Sequence, residues 1–77
     1  MNTYFSRHEC PIPGTEVKSL VEFSGVPVGT KGMVVGQWAM GKGRWGVTVQ
    51  WIRAIGGPLS DGFSKNEYQS FLQEVKG

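Results

Sequence analysis

Residues 44 to 51 read RWGVTVQW, a segment in which apolar side chains alternate strictly with polar or small ones. Successive side chains of a β-strand point to opposite faces of the sheet, so this pattern predicts a strand with one buried face and one face in solvent. The buried face would consist of four residues, Trp45, Val47, Val49 and Trp51. We therefore expect an amphipathic strand in the middle of the fold.

Glycine-rich segments separate this strand from its neighbours and predict a twisted antiparallel meander. Residues 39–43, AMGKG, form a hairpin that joins it to a preceding strand at 33–38. Residues 25–32 contain one proline and several glycines, which is typical of a loop with a tight turn. A first strand is predicted at 16–23, and a short fourth strand or extended loop within 52–62.

The C-terminal segment carries the signals of a helix start. Ser64 can accept a hydrogen bond from the Glu67 amide while Glu67 reaches back to Ser64, and Phe63 can pack on Tyr68. These are a capping box and a hydrophobic staple, and apolar residues then recur at helical spacing, so we predict a helix at about 64–75. The expected fold is mainly β: a small barrel of four or five antiparallel strands with a short C-terminal α-helix that seals an opening or covers an edge.

Chain length and cysteine content constrain the number of domains, the state of assembly and the cellular compartment. A chain of 77 residues is one small domain, which we divide into an N-terminal arm at 1–14 and a barrel with its helix at 15–77. Small cores are marginally stable, which favours a homo-oligomer in which Tyr4 and Phe5 pack on a neighbouring barrel. Cys10 is the only cysteine, which fits a reducing, cytoplasmic setting. Neither a signal peptide nor a membrane-spanning segment is recognisable, so no membrane partner is expected.

Basic charge is concentrated in the middle of the chain. Residues 18–53 contain five basic residues and one acidic residue, although the net charge of the whole chain is only +2. Trp38 lies at a predicted strand end beside the cationic hairpin, where it either contacts a ligand or covers the barrel rim. The charges fit phosphate or an acidic partner, and they also fit an ordinary solvated surface. The predicted binding residues are Trp38, Lys42, Arg44, Arg53 and Lys31.

No catalytic or metal-binding constellation is recognisable. His8 and Cys10 have metal-capable atoms, but the chain has no second histidine or cysteine to complete a tetrahedral set. Asp61 and Glu67 are better explained by a turn and by the helix cap than as paired carboxylates. The glycines of the hairpin are not followed by the helix that a phosphate-binding loop needs. We expect no metal, no cofactor and no enzymatic activity.

Residues 24–36, SGVPVGTKGMVVG, resemble the KOW-type turn of SH3-like β-barrels, in which a glycine pivots the chain between two strands. Gly32 would be that glycine. Such barrels commonly bind RNA or proteins of the transcription and translation machinery, which is what the resemblance implies here. Residues 43–51 and 60–68 are similar, more faintly, to CAP-Gly domains. The glycine-lysine-asparagine-aspartate-glycine loop of that family is missing, apart from its last two residues, so the binding of acidic C-terminal tails is not carried over.

The segments VVGQW and VTVQW are similar to strands of type II dihydrofolate reductases, SH3-like chains that build one active site at the centre of a homotetramer. The substrate-binding segment of those enzymes lies near the chain end, whereas Val49, Gln50 and Trp51 lie in a middle strand, so its residues do not transfer.

Three functions follow, in order of preference. The first is a non-catalytic interaction module that binds a protein segment through its tryptophan and basic hairpin surface. The second is a KOW-like protein that binds RNA or DNA through the same surface with Lys31 and Lys18 added, and its affinity would fall steeply with salt. The third is an oligomeric small-barrel enzyme resembling type II dihydrofolate reductase.

Overall fold

The computed structural model describes residues 10–23, 25–41, 44–52 and 56–75. The strands within them form one antiparallel sheet in the order β4-β3-β2-β1-β5. The predicted mainly β fold, with five antiparallel strands and one short helix near the C-terminus, is confirmed. The elements in chain order are β1 (Glu16–Ser19), β2 (Lys31–Gly41), β3 (Arg44–Trp51), β4 (Leu59–Ser64), α1 (Lys65–Phe71) and β5 (Leu72–Glu74).

The sheet is open, so the predicted closure into a barrel is wrong. Its two edges are β4 and β5, which do not pair with each other. The helix α1 joins them in the chain and contacts β3, β4 and β5. β5 has only three residues, and all of them are aligned with β1. The two edge strands are therefore connected by a helix and form no hydrogen-bonded ladder with each other.

The helix begins as predicted and ends earlier. The Ser64 side chain accepts from the Glu67 amide, and the Glu67 carboxylate accepts from the Ser64 amide at 2.9 Å, so the capping box is confirmed. Leu72 leaves the helical conformation, with φ of −124° and ψ of 152°. It pairs with Ser19 of β1, so residues that the spacing assigned to the helix form β5 instead. Ladder hydrogen bonds to β1 have overridden the helical pattern.

The first strand and the glycine turn both differ from expectation. β1 ends at Ser19, although Phe23 still turns towards the core through a bridge with Val26. The left-handed backbone conformations of this loop lie at Gly25 and Gly29, with φ of 78° and 88°. Gly32 is therefore not the pivot. It is buried in β2, where a Cβ atom would come within 2.7 Å of Val49 Cγ1, so close packing requires glycine there.

A β-bulge in β2 decides which way its second half faces. β2 is longer than the predicted 33–38, and its connection to β3 falls on residues 42–43, outside the described residues. Val34 pairs with Val49 and Gly36 pairs with Thr48, so Val35 is an extra residue on β2. An extra residue exchanges the two faces of a strand from that point on. Trp38 consequently lies on the face opposite to Val34.

The core lies on one face of the sheet, here called the inner face. Trp45, Val47, Val49 and Trp51 are all buried there, as the alternation predicts. The helix residue Tyr68 packs edge-to-face on Trp45, with ring centroids 5.6 Å apart. Asp61, expected in a turn, lies in β4, and its carboxylate accepts from the Trp51 indole at 2.8 Å. Of the predicted N-terminal arm, residues 1–9 lie outside the described residues, and Cys10 is buried in the core.

Candidate interaction surface

The opposite face of the sheet, here called the outer face, is covered by no other described element and is lined largely by small residues. Aligned residues of antiparallel strands share a face, so the register of β3 with β2 and β4 identifies its members. Its central part consists of Met33, Gly36 and Trp38 of β2, Arg44, Gly46, Thr48 and Gln50 of β3, and Ser60, Gly62 and Ser64 of β4. Glycine at three of these positions leaves the backbone exposed to a ligand or to a large neighbouring side chain.

The Trp38 indole occupies the space above two of these glycines. It pairs with Gly46, and a Cβ atom at Gly46 would overlap the Trp38 indole. The far end of the ring reaches β4, where a Cβ at Gly62 would lie 3.2 Å from Trp38 Cη2. The indole therefore extends from β2 across β3 to β4, and any side chain at position 46 would displace it. Even in this position the residue is 38% exposed.

The Trp38 indole has no polar partner among the described residues. A buried indole N–H normally finds an acceptor, and an indole at a binding surface keeps its N–H for the ligand. Trp38 thus offers both an apolar ring and an unused donor. This is the arrangement that enriches tryptophan at contact sites between proteins.

Arg44 accompanies Trp38 on the outer face. It lies two residues before Gly46 on β3, it is exposed, and within the described part of the chain it forms no ion pair. Lys31 is also exposed and unpaired, but it lies seven residues before Trp38 on β2, roughly 20 Å away along an extended strand. Lys42 and Arg53 fall outside the described residues. The structure therefore brings together Trp38 and Arg44 and places Lys31 at the other end of the face.

Lys31 faces a second lysine. Lys18 of β1 is its aligned partner in the sheet, and both are exposed. Like charges directly opposite each other on two strands are destabilising unless an anion or solvent compensates. Glu16, which is aligned with Met33, is the nearest acidic residue on the same face of the sheet. The sequence predicted Lys18 as part of a nucleic-acid surface but not its alignment with Lys31, because strand pairing is not visible in the alternation of one strand.

An apolar depression of about 400 Å³ lies at the Lys31 end of the outer face. Its apolar walls come from Met33 and Ile52, which are 37% and 59% exposed, together with Pro58. Gln50 provides a polar group on its lining. One signal for this region is visible in the sequence: the alternation of β3 places Gln50, the aligned partner of Met33, on the face opposite to the core.

Two titratable groups of the inner face, the Cys10 thiol and the Tyr68 phenol, have raised pKa values. Burial raises the pKa of the Cys10 thiol, and its sulfur lies 3.5 Å from Gln37 Nε2, which donates to it. Burial, followed by the nearby Glu74 carboxylate, raises the pKa of Tyr68, whose hydroxyl donates to Glu74 at 3.1 Å. A neutral thiol and a neutral phenol are weak nucleophiles and weak bases. His8, the other group considered for chemistry at Cys10, lies outside the described residues.

The described residues contain neither a metal-binding cluster nor a membrane-spanning helix. No group of three histidine, cysteine, aspartate or glutamate residues in these ranges is placed to hold a metal ion. None of the helices there has the length and apolar character needed to cross a bilayer.

Comparison with known proteins gives no match, whether the chain is compared with family models, with the sequences of curated proteins or with solved structures. The resemblances to KOW-type turns, CAP-Gly domains and type II dihydrofolate reductases therefore stay predictions. Any function for this chain has to be argued from its own surface.

Proposed function

We propose that the protein is a non-catalytic interaction module that binds a segment of another protein on its outer face, with Trp38 as the principal contact residue. The observation that carries this proposal is the position of Trp38. Its indole lies across two glycines, is partly exposed and has no polar partner among the described residues. Tryptophan, together with tyrosine and arginine, is enriched among the energetically dominant contacts of protein interfaces.

Charge on the outer face favours an acidic segment. Arg44, Lys31 and Lys18 are exposed there without ion-pair partners among the described residues. Glu16 is the one carboxylate that the described strands place on this face. Complementary charge speeds encounter and selects partners, even where it adds little to affinity. A cytoplasmic location is part of the same proposal and rests on the single cysteine.

Nucleic-acid binding is the second candidate, because an aromatic ring beside an arginine is also a stacking surface for unpaired bases. The two candidates differ in their response to salt. A nucleic-acid complex held by phosphate contacts releases counterions, and its affinity falls steeply as salt is raised. A peptide complex centred on an indole depends mainly on apolar contact and depends less on salt.

The test is a selection of random peptides displayed on phage against the immobilised full chain, followed by synthesis of the enriched peptide and measurement of its Kd by fluorescence anisotropy. We expect micromolar binding that Trp38→Ala weakens by about tenfold or more. Gln73→Ala, an exposed substitution on the outer face of β5, is the matched control and should change Kd by less than about twofold.

Two outcomes contradict the proposal. If no peptide is enriched, or if Trp38→Ala binds the enriched peptide as tightly as the unaltered protein, Trp38 is not the contact residue of a peptide site. Titration with fluorescent single-stranded RNA and DNA at low and high salt is run in parallel. Binding of these oligonucleotides that is tighter than peptide binding and strongly weakened by salt would replace the first candidate with the second.

A further inference from the structure

One edge of the sheet is available for a further strand. β4 pairs with β3 on one side, and its other side has no backbone hydrogen-bond partner among the described residues. Half of the N–H and C=O groups of a strand point to each side, so an edge strand presents a row of unused donors and acceptors. β4 has six residues, which makes it twice as long as β5, the strand at the other edge.

The accessible part of β4 is its first four residues, 59–62. The helix α1 follows directly after Ser64 and packs on Trp45 through Tyr68, so it lies at the far end of β4. Ser60 and Gly62 are exposed and small, and they are the residues of this part that face outwards. Lysine, proline and a bulge, three devices that block an edge, are absent within 59–62. The one charged residue there, Asp61, points to the inner face and accepts from the Trp51 indole.

Trp38 reaches this edge from two strands away. The end of its indole, at Cη2, lies over Gly62. A strand laid beside β4 would place every second side chain on the outer face, next to the indole. A strand added to β4 could therefore bond to the backbone of β4 and contact the Trp38 indole at the same time.

We propose that the partner of this module is an extended acidic segment of another protein that adds to β4 as a sixth strand, with one apolar side chain against the end of the Trp38 indole. This rests on the proposed function and specifies how the partner binds. Backbone hydrogen bonds to β4 supply register and affinity, and Trp38 selects the apolar residue. Arg44 at the α1 end of the outer face and Lys31 at its opposite end provide the positive charge that attracts an acidic segment to this face.

A second copy of this chain is a poorer occupant. Pairing two copies through β4 would create one continuous sheet, and each copy would contribute unpaired Arg44, Lys31 and Lys18 to its surface against Glu16. Like charges on one surface oppose association. An acidic segment is attracted to these positive charges and is not repelled by them.

The test uses the enriched peptide in three forms: unmodified, N-methylated at odd residues and N-methylated at even residues. In an added strand only alternate N–H groups point to β4. We expect one methylated form to lose about tenfold or more in affinity and the other to stay within about twofold of the unmodified peptide. Equal affinities for all three forms, or equal losses in both methylated forms, would overturn strand addition.

Amide hydrogen exchange on the full chain locates the contact. With saturating unmodified peptide we expect slower exchange at alternate amides of residues 59–62 and unchanged exchange in β5. Unchanged exchange throughout 59–62 would overturn the assignment to β4. Sedimentation without peptide is expected to show a monomer whose β4 amides exchange freely. A dimer with protected β4 amides would assign the edge to a second copy.

These outcomes separate the two proposals. If no peptide is enriched, or if Trp38→Ala has no effect, the proposed function fails. If Trp38→Ala weakens binding while the two methylated peptides behave alike, the module binds peptides through side chains on the outer face, and only strand addition fails.

Discussion

Two tryptophans on opposite faces of the sheet show how one residue type serves two purposes. Trp51 on the inner face is 1% exposed, donates its indole N–H to Asp61 at 2.8 Å and packs against Phe23 and Phe63. Trp38 on the outer face is 38% exposed, rests on glycine and has no polar partner among the described residues. The polar group of Trp51 is bonded within the chain, whereas Trp38 leaves part of its ring exposed and its N–H without a partner among the described residues.

One buried hydrogen-bond donor of the inner face has no acceptor among the described residues. The indole nitrogen of Trp45 is buried and has no hydrogen-bond partner in the described part of the chain, although its ring packs on Tyr68. An unpaired buried donor costs about 1–3 kcal/mol of stability. Trp45 therefore stabilises the fold through apolar contact alone, while Trp51 adds a charge-assisted hydrogen bond.

The largest expected effect separates Trp51 from Trp38 by stability. Trp51→Ala removes a fully buried ring and leaves Asp61 without its donor, so we expect the free energy of unfolding to fall by about 3–5 kcal/mol. Trp38→Ala should lower it by about 1 kcal/mol, since the ring is partly solvated. Urea denaturation followed by circular dichroism measures both. Equal losses in the two variants would contradict the division of roles.

The next effect concerns the glycine under Trp38. Gly46→Ala places a methyl group where the indole now lies, so we expect a loss of about 1–2 kcal/mol and a shifted Trp38 indole N–H signal in NMR. Gly36→Ala is the matched control, because its Cβ would meet Thr48 at an ordinary 3.8 Å. In a Trp38→Ala background Gly46→Ala should cost much less, since the two positions are coupled. An unchanged cost there would show that the indole does not lie over Gly46.

The smallest effect is a pH dependence on the inner face. Burial and Glu74 raise the pKa of Tyr68, so above about pH 10 the unfolded chain loses the phenol proton before the folded chain does. Stability present below pH 10 is therefore lost as pH rises, by about 1 kcal/mol between pH 9 and pH 11. Tyr68→Phe removes this contribution, while every other titratable group is the same in both proteins. Parallel stability curves for the two proteins over this range would show that Tyr68 ionises freely in the fold.

Local patterns in the sequence were sufficient for β3 and for the helix cap. β3 runs from Arg44 to Trp51, as its alternation predicts, and Ser64 and Glu67 form the capping box. Both signals depend on residues close together in the chain. β5 was missed because Leu72 also fits the helical spacing, and only its pairing with β1 decides between strand and helix.

The candidate site was predictable only in part. The sequence indicated Trp38 and Arg44 by their position beside the hairpin, but not the glycines beneath the indole or the hydrogen bond of Asp61. These depend on the alignment of β2, β3 and β4, which no single segment encodes. The glycine-rich pattern predicts a turn at Gly32, yet the residue lies in β2, where it makes room for Val49 and Trp51.

The extra residue at Val35 gives the chain an unusual sensitivity to length. Val35 is 47% exposed, and replacing its side chain should matter little. Deleting the residue would restore strict alternation along β2 as far as Ala39 and turn Trp38 towards the hydrophobic interior, where Trp45 and Val47 already fill the space. A gene encoding this protein would tolerate many codons at position 35 and would not tolerate the loss of one.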